Sequence, residues 1–272
     1  MVDLNEYMWT GLVLGTAGAI RREVWPIIWI IMEVNMISFL WLLTINKRLK
    51  KSSLVYFIIQ RVGSLSLLAG RIVAEISGVM HKLVVLGLVL KIGLAPLHNW
   101  APTLVVKMRI WFSYIFLTWQ KVAPLFLMMT TTPKSILVWL VVINSAVAAL
   151  IRIGSKELRL VLFYSGLIHF RWLSSGPYAR SAIYFIFYRI VSIPVFLKIN
   201  IPLSIANIAG VPPITGFFMK LSIFPFLNLG VIIILLATTS LLLLAYFRVF
   251  LSYPLSPLKF VTLLSCFLGV LY

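Results

Sequence analysis

Residues 83–105 read LVVLGLVLKIGLAPLHNWAPTLV. The stretch is long and apolar enough to cross a bilayer as a helix, which takes about 17–25 residues. Yet Lys91 stands inside it, with Gly93 and Pro96 just after. Proline removes a helix donor and clashes one turn back, so this helix should break beside the lysine. Unwound backbone at membrane depth is tolerated only where it is buried in protein or lines a polar cavity. The stretch therefore predicts a membrane protein with a polar interior.

The rest of the chain agrees. Of its 272 residues, 62% are hydrophobic and 11% charged, and the mean hydropathy is +1.07. Ordinary globular domains run at about 45–50% apolar and about 25% charged. So much apolar surface cannot be hidden in a particle of this size, and lipid must be the solvent. Reading the breaks gives eleven spans, near 7–20, 24–45, 53–70, 83–105, 110–132, 136–151, 158–170, 181–197, 200–228, 229–247 and 260–272. Every span should be helical, because lipid offers backbone groups no partner and the alternation of a barrel is absent. The expected fold is an all-α polytopic transmembrane bundle, a single membrane domain over 1–272 with no soluble domain or long linker.

Charge is strongly biased, with 24 Lys and Arg against 6 Asp and Glu, a net +18. Nucleic-acid binding would cluster these bases on a polar domain, and there is none. They lie instead in short breaks between apolar runs. Counted by side, twelve loop bases fall on one side, including Lys47, Arg48, Lys50 and Lys51, and seven on the other. The richer side should face the cytoplasm or matrix, which places the N-terminus there and the C-terminus opposite. The KRLKK run at 47–51 reads as a solvated orientation signal, or as a dock for an acidic partner or lipid headgroup. Met1–Thr10 carries Asp3 and Glu6 and no base, so insertion is expected to rely on the spans. Cys266 is the single cysteine and can form no internal disulfide; His81, His98 and His169 share no metal-ligand spacing. No metal site is expected.

Five bases fall inside apolar runs rather than between them: Arg61, Lys91, Lys121, Arg189 and Lys220, and so does Glu33. A Lys or Arg at mid-bilayer costs about 2.5–3.5 kcal/mol on insertion scales. Such residues must face protein or water, and they mark ion or proton paths. Near a span end, a lysine snorkels instead. Glu33, in WIIMEVNMISF, should be protonated or paired with a buried base. Arg61 and Arg189 are pairing partners, or lie nearer a span end. His98 and His169 are satisfied core groups or relays.

A second break lies far downstream. NIAGVPPITGFFMK carries Gly210, Pro212, Pro213 and Gly216 in an apolar segment that ends at Lys220. Gly/Pro-interrupted segments at matching places in two halves point to inverted repeats. The fourth span of a first five (7–132) is broken, and so is the fourth of a second five (136–247), with 260–272 as a terminal helix. Each break carries a lysine.

LGTAGAIRREVWPIIWIIMEVNMISF, YFIIQ, LVLKIGLAPLHNWAP, FLTWQKVAP, SKELRLVLFYSGLIH and GVPPITGFFMK resemble, in order, the subunit 2 family of mitochondrial NADH:ubiquinone oxidoreductase, respiratory complex I. The matches cover most of residues 10–220; the last fifty match only as hydrophobic helices. The resemblance implies an antiporter-like, proton-translocating subunit of the membrane arm, a subunit of an H+-translocating enzyme in the mitochondrial inner membrane. Animal members of the family have eleven helices, the number counted from the breaks. By motif, Glu33 resembles the channel-entry glutamate, Lys91 the lysine of the first broken helix, Lys121 the central connecting lysine and Lys220 the lysine of the second broken helix. His169, Arg189 and Arg61 take no such assignment. Arg61 stands where a small polar residue is expected, and Arg171 replaces an apolar residue after His169.

Desolvation disfavours the charged form of a buried amine, so its protonation answers to a neighbouring charge. The resemblance implies that a closed Glu33–Lys91 pair holds Lys91 charged, and that opening it sends a proton toward Lys121 and Lys220. It further implies that NAD, FMN, iron–sulfur clusters and ubiquinone belong to the parent complex and none to this chain. The implied partners are other membrane-arm and accessory subunits and membrane lipids. Two rival readings share the sequence features: a subunit of a stand-alone cation/proton antiporter, and a purely structural membrane-arm subunit.

Overall fold

Along Trp25–Thr44 the outward positions are Ile30, Val34, Ile37 and Trp41, while Glu33, Asn35 and Ser38 are buried. The same inversion marks Lys50–Ser77, where Leu54, Ile58, Val62 and Leu65 face out and Ser53, Gln60 and Ser64 face in. A helix on a water-soluble core does the reverse. Apolar outside and polar inside is the arrangement that lipid selects.

The computed structural model describes residues 2–21, 24–44, 50–77, 81–153, 157–175, 178–197, 201–211, 214–223, 225, 230, 232–233, 237–241, 243 and 246. Among these residues the elements are helical and none is a strand. In chain order they are α1 (Val2–Arg21), α2 (Trp25–Thr44), α3 (Lys50–Ser77), α4 (His81–Ile92), α5 (Trp100–Lys107), α6 (Ile110–Thr118), α7 (Val122–Thr131), α8 (Lys134–Ile153), α9 (Leu158–Ser175), α10 (Tyr178–Phe196), α11 (Ile201–Ala209) and α12 (Thr215–Leu221). Three stretches are each long and apolar enough to cross a membrane alone: Trp25–Thr44, Lys51–Ala74 and Lys134–Ile151. Helices α1 to α12 run through the predicted spans from 7–20 to 200–228. The predicted span 229–247 is described only in part, and 260–272, with Cys266, lies outside the described residues, as do Pro212 and Pro213.

Two predicted spans are split where the sequence says they should be. The helix of 83–105 stops at Ile92 and resumes at Trp100 as α5. Gly93 takes φ +72°, a left-handed conformation that only glycine adopts cheaply. Its N–H and that of Leu94 both donate to the carbonyl of Val89, at 2.9 and 3.0 Å, which closes the end of α4. Pro96 lies in the turns that follow. The second break repeats this chemistry. Gly210 takes φ +75°, and the N–H groups of Gly210 and Val211 both donate to the carbonyl of Ala206, at 3.0 and 3.2 Å.

A third interruption was not expected. The span 110–132 is divided by a 3-10 turn at Trp119–Lys121 between α6 and α7. Pro124 explains it: it has no N–H for the carbonyl of Gln120, and its ring crowds that carbonyl. The Val122 N–H donates to Trp119 instead, in the tighter 3-10 pattern.

The chain forms two compact units, Met1–Leu137 and Val138–Tyr272. In the first, small residues bring helices close, as they do in lipid, where there is no hydrophobic drive between helices. A Cβ on Gly87 of α4 would lie 2.6 Å from the carbonyl oxygen of Gly63 and from Ser66 Oγ on α3. The α3–α4 crossing therefore exists only because neither partner has bulk there. Phe39, Tyr56, Trp100 and Phe116 form an aromatic cluster joining α2, α3, α5 and α6, with centroids 5.5–6.1 Å apart. In the second unit, α8 and α9 are tied by Asn144, whose Nδ2 donates to the Leu167 carbonyl at 2.7 Å.

Candidate functional site

Four of the six charges inside apolar runs do not snorkel. Glu33, Lys91, Lys121 and Lys220 are all buried, in a protein that places apolar side chains outward. A carboxylate buried at the middle of α2 needs a partner, and it has two. Arg61 Nη1 of α3 lies 2.9 Å from Glu33 Oε2, and Lys91 Nζ of α4 lies 4.0 Å from Glu33 Oε1. Three of the residues singled out from sequence thus converge from three helices.

The glycine crossing of α3 and α4 puts them there. A Cβ on Gly63 would stand 3.1 Å from Lys91 Cγ and 3.2 Å from the Gly87 carbonyl oxygen, so the lysine stem runs through space that glycine leaves open. Gln60, one residue before Arg61, donates from Nε2 to the carbonyl of Lys91 at 3.1 Å. That carbonyl belongs to the last turn of α4, where no intrahelical donor exists. Adjacent residues of α3 thus bind the carboxylate that faces Lys91 and the backbone that carries it.

Lys121 closes the 3-10 turn, and α4 packs against that turn and α7. The turn is held at both edges. Trp119 Nε1 donates to the Leu12 carbonyl at 3.2 Å, and Gln120 Nε2 donates to Asn35 Oδ1 at 3.2 Å. His98 is buried between the break and α5. His81 is the first residue of α4.

In the second unit the break is stitched in both directions. Asn207 of α11 accepts through Oδ1 from the N–H of Gly216 at 2.8 Å and from Thr215 Oγ1 at 3.2 Å, supplying the acceptor that the start of α12 lacks. Lys220 of α12 reaches back, and its Nζ donates to the carbonyl of Ile208 at 3.4 Å and to that of Ala209. A Cβ on Gly216 would overlap the Asn207 carbonyl oxygen, which is why α12 can begin so close to α11.

His169 of α9 is buried, its Nδ1 hydrogen-bonded to the hydroxyl of Tyr184 and its ring 4.4 Å from that of Tyr188. The Tyr188 hydroxyl in turn pairs with Ser165 Oγ at 3.0 Å. Arg189 sits half-buried, its guanidinium carbon 3.9 Å from the centroid of Phe185 one turn earlier. Among the described residues, no group of three His, Cys, Asp or Glu could hold a metal ion.

Sequence reading missed Asn35, Gln60, Asn207, Tyr184 and Tyr188. The first three share one signal: an uncharged amide in an apolar run, which lipid forces to find an internal partner.

The chain resembles known proteins in sequence and in fold. Residues 75–203 match the family model for the transmembrane region of NADH:quinone oxidoreductases and Mrp antiporters. NADH-ubiquinone oxidoreductase chain 2 of Myxine glutinosa is 28% identical over 257 residues, covering 78% of this chain and 74% of that one. The protein of the same name from Lumbricus terrestris is 25% identical over 288 residues, covering 90% and 86%. Among solved structures, respiratory complex I from Thermus thermophilus with bound aureothin contains a chain that matches with a TM-score of 0.79 at 18% identity, over 93% of this chain and 72% of that one. A chain of the Mrp complex from Dietzia matches with a TM-score of 0.75 at 15% identity, over 90% and 59%. At such identities these two establish a shared fold. The chain is therefore similar to NADH-ubiquinone oxidoreductase chain 2 over more than three quarters of its length, and over residues 75–203 to the transmembrane region of NADH:quinone oxidoreductases and Mrp antiporters.

Proposed function

We propose that the chain is a proton-translocating, antiporter-like subunit of the membrane arm of respiratory complex I, part of an H+-translocating NADH:ubiquinone reductase. The observation that carries this reading is the buried carboxylate of Glu33 at 4.0 Å from the buried ammonium of Lys91, beside the left-handed turn at which α4 ends. The name shared by the curated relatives supports it, and so does the antiporter-type fold.

The carboxylate favours the charged form of Lys91 while the two are close. Drawing Glu33 away, under a push from a neighbouring subunit, leaves the ammonium with less compensation in a poorly solvated place, and it gives up its proton. The broken α4–α5 connection supplies polar backbone and room for water. Lys121 and Lys220 are the further stations that receive the proton. NAD, FMN, iron–sulfur clusters and ubiquinone act elsewhere in the complex. The chain lies in the mitochondrial inner membrane beside other membrane-arm and accessory subunits. Its N-terminus is on the matrix side and its C-terminus on the intermembrane side.

Native separation of the source membrane in mild detergent, with mass spectrometry of the band containing this chain, tests the assignment. Migration with flavin and iron–sulfur subunits and with NADH oxidation activity is expected. The Mrp-like fold favours one second reading, a subunit of a stand-alone cation/proton antiporter; migration with cation-exchanger partners alone, and sodium-dependent exchange, would establish that one instead.

A further inference from the structure

Glu33 is one carboxylate between two cations, and the nearer is not the lysine. Arg61 pairs with it at 2.9 Å, whereas Lys91 stands at 4.0 Å. The two cations also differ in setting. The Arg61 side chain is 40% exposed, with its guanidinium carbon 5.3 Å from the Phe57 centroid, while the side chains of Lys91 and Glu33 are 3% and 8% exposed. Arg61 therefore enters the site from its edge.

Resting on the proton-translocating reading above, we propose that Arg61 is a positioning residue, a permanent counter-charge that keeps Glu33 paired whether or not Lys91 carries a proton. A guanidinium stays charged at any pH the protein meets, whereas a buried lysine gains and loses its proton. With Lys91 protonated, the cluster holds two positive charges and one negative. When the proton leaves Nζ, Lys91 becomes a neutral amine, and Glu33 and Arg61 remain a matched pair. Without Arg61 the same step would strand a lone buried carboxylate, which is strongly unfavourable. Lys91 would then keep its proton, held in an exclusive pair with Glu33.

Among the described residues, the ion-pair partners of Glu33 are Arg61 and Lys91. Tyr56 is a neutral phenol in the aromatic cluster, and α7 (VAPLFLMMTT) brings no charged side chain. Gln60, next to Arg61, holds the Lys91 backbone and ties the arginine's helix to the lysine's position.

The test is NADH-driven proton translocation per assembled complex in vesicles, for Arg61→Met, Arg61→Lys and Lys91→Met. Methionine keeps the apolar stem over Phe57 and removes the charge. Arg61→Met should lower coupled turnover about fivefold, a coupling expected of residues that share one partner, and Arg61→Lys should recover most of it. Arg61→Met pumping like the parent while Lys91→Met does not, or Arg61→Lys failing as badly as Arg61→Met, would overturn the role of Arg61 and leave the proton-translocating reading intact. Undiminished pumping by Lys91→Met would remove that reading and this role with it. If Arg61→Met yields no assembled complex, the double variant with Glu33→Gln decides. Recovery of assembly supports the pairing, since both charges are then gone, and continued failure overturns it.

Discussion

Lys220 donates to the carbonyl of Ile208 at 3.4 Å, reaching from α12 across its break to the last turn of α11. Counted from the left-handed glycine, the equivalent carbonyl in the other unit is that of Lys91, and there Gln60 is the donor, at 3.1 Å. A neutral amide does in one unit what an ammonium does in the other. The exchange leaves the Lys91 side chain to face Glu33, while that of Lys220 is occupied by the backbone of its own broken helix.

Lys220→Met should therefore loosen the second break. Two carbonyls lose a charged donor, a loss of about 1.5–3 kcal/mol for a hydrogen bond to a charged group. Hydrogen exchange at the amides of Gly210 and Val211, which close α11, should quicken by an order of magnitude or more. Unchanged protection there would show that the lysine does not hold the break.

Asn207→Leu removes the acceptor at the start of α12, and the N–H of Gly216 loses its partner at 2.8 Å. Loss of such a cap costs about 1 kcal/mol. Faster exchange in the first turn of α12 is expected, and Asn207→Asp, which keeps the oxygen, should stay close to the parent.

Gly87→Val probes the crossing that places Lys91. The new Cβ would meet the Gly63 carbonyl oxygen at 2.6 Å, and a backbone atom cannot swing aside. Overpacking of this kind costs about 1–3 kcal/mol. The variant complex should melt at lower temperature and assemble in lower yield. Gly230→Ala, where nothing lies within 4 Å, should behave like the parent.

What could be read from sequence was what lipid makes expensive. Lys91, Lys121, Lys220 and Glu33 stood out because charge in an apolar run is costly, and the structure buries all four. Gly93 and Gly210 stood out beside prolines, and both take the left-handed conformation that ends a helix. The partnering was less legible. Arg61 could be read as a pairing residue, yet nothing in its spacing shows that it stands nearer Glu33 than Lys91 does, because that depends on how closely α3 and α4 cross. The crossing rests on Gly63 and Gly87, which in sequence are two glycines among 15. The 3-10 turn that ends at Lys121 had its signal in Pro124, but a proline in an apolar run reads equally well as a kink. Asn207 looked like an ordinary polar residue ahead of a glycine, and only the return of the chain at Gly216 gives its oxygen a purpose.

The most direct measurement is the number of protons moved per NADH oxidised by the assembled complex carrying Lys91→Met, in sealed vesicles with a pH-sensitive dye. If Lys91 passes protons under the control of Glu33, the ratio should fall below that of the parent while the flavin and iron–sulfur subunits remain assembled. A ratio equal to the parent's, in a complex shown to carry the substitution, would contradict a pumping role for this chain.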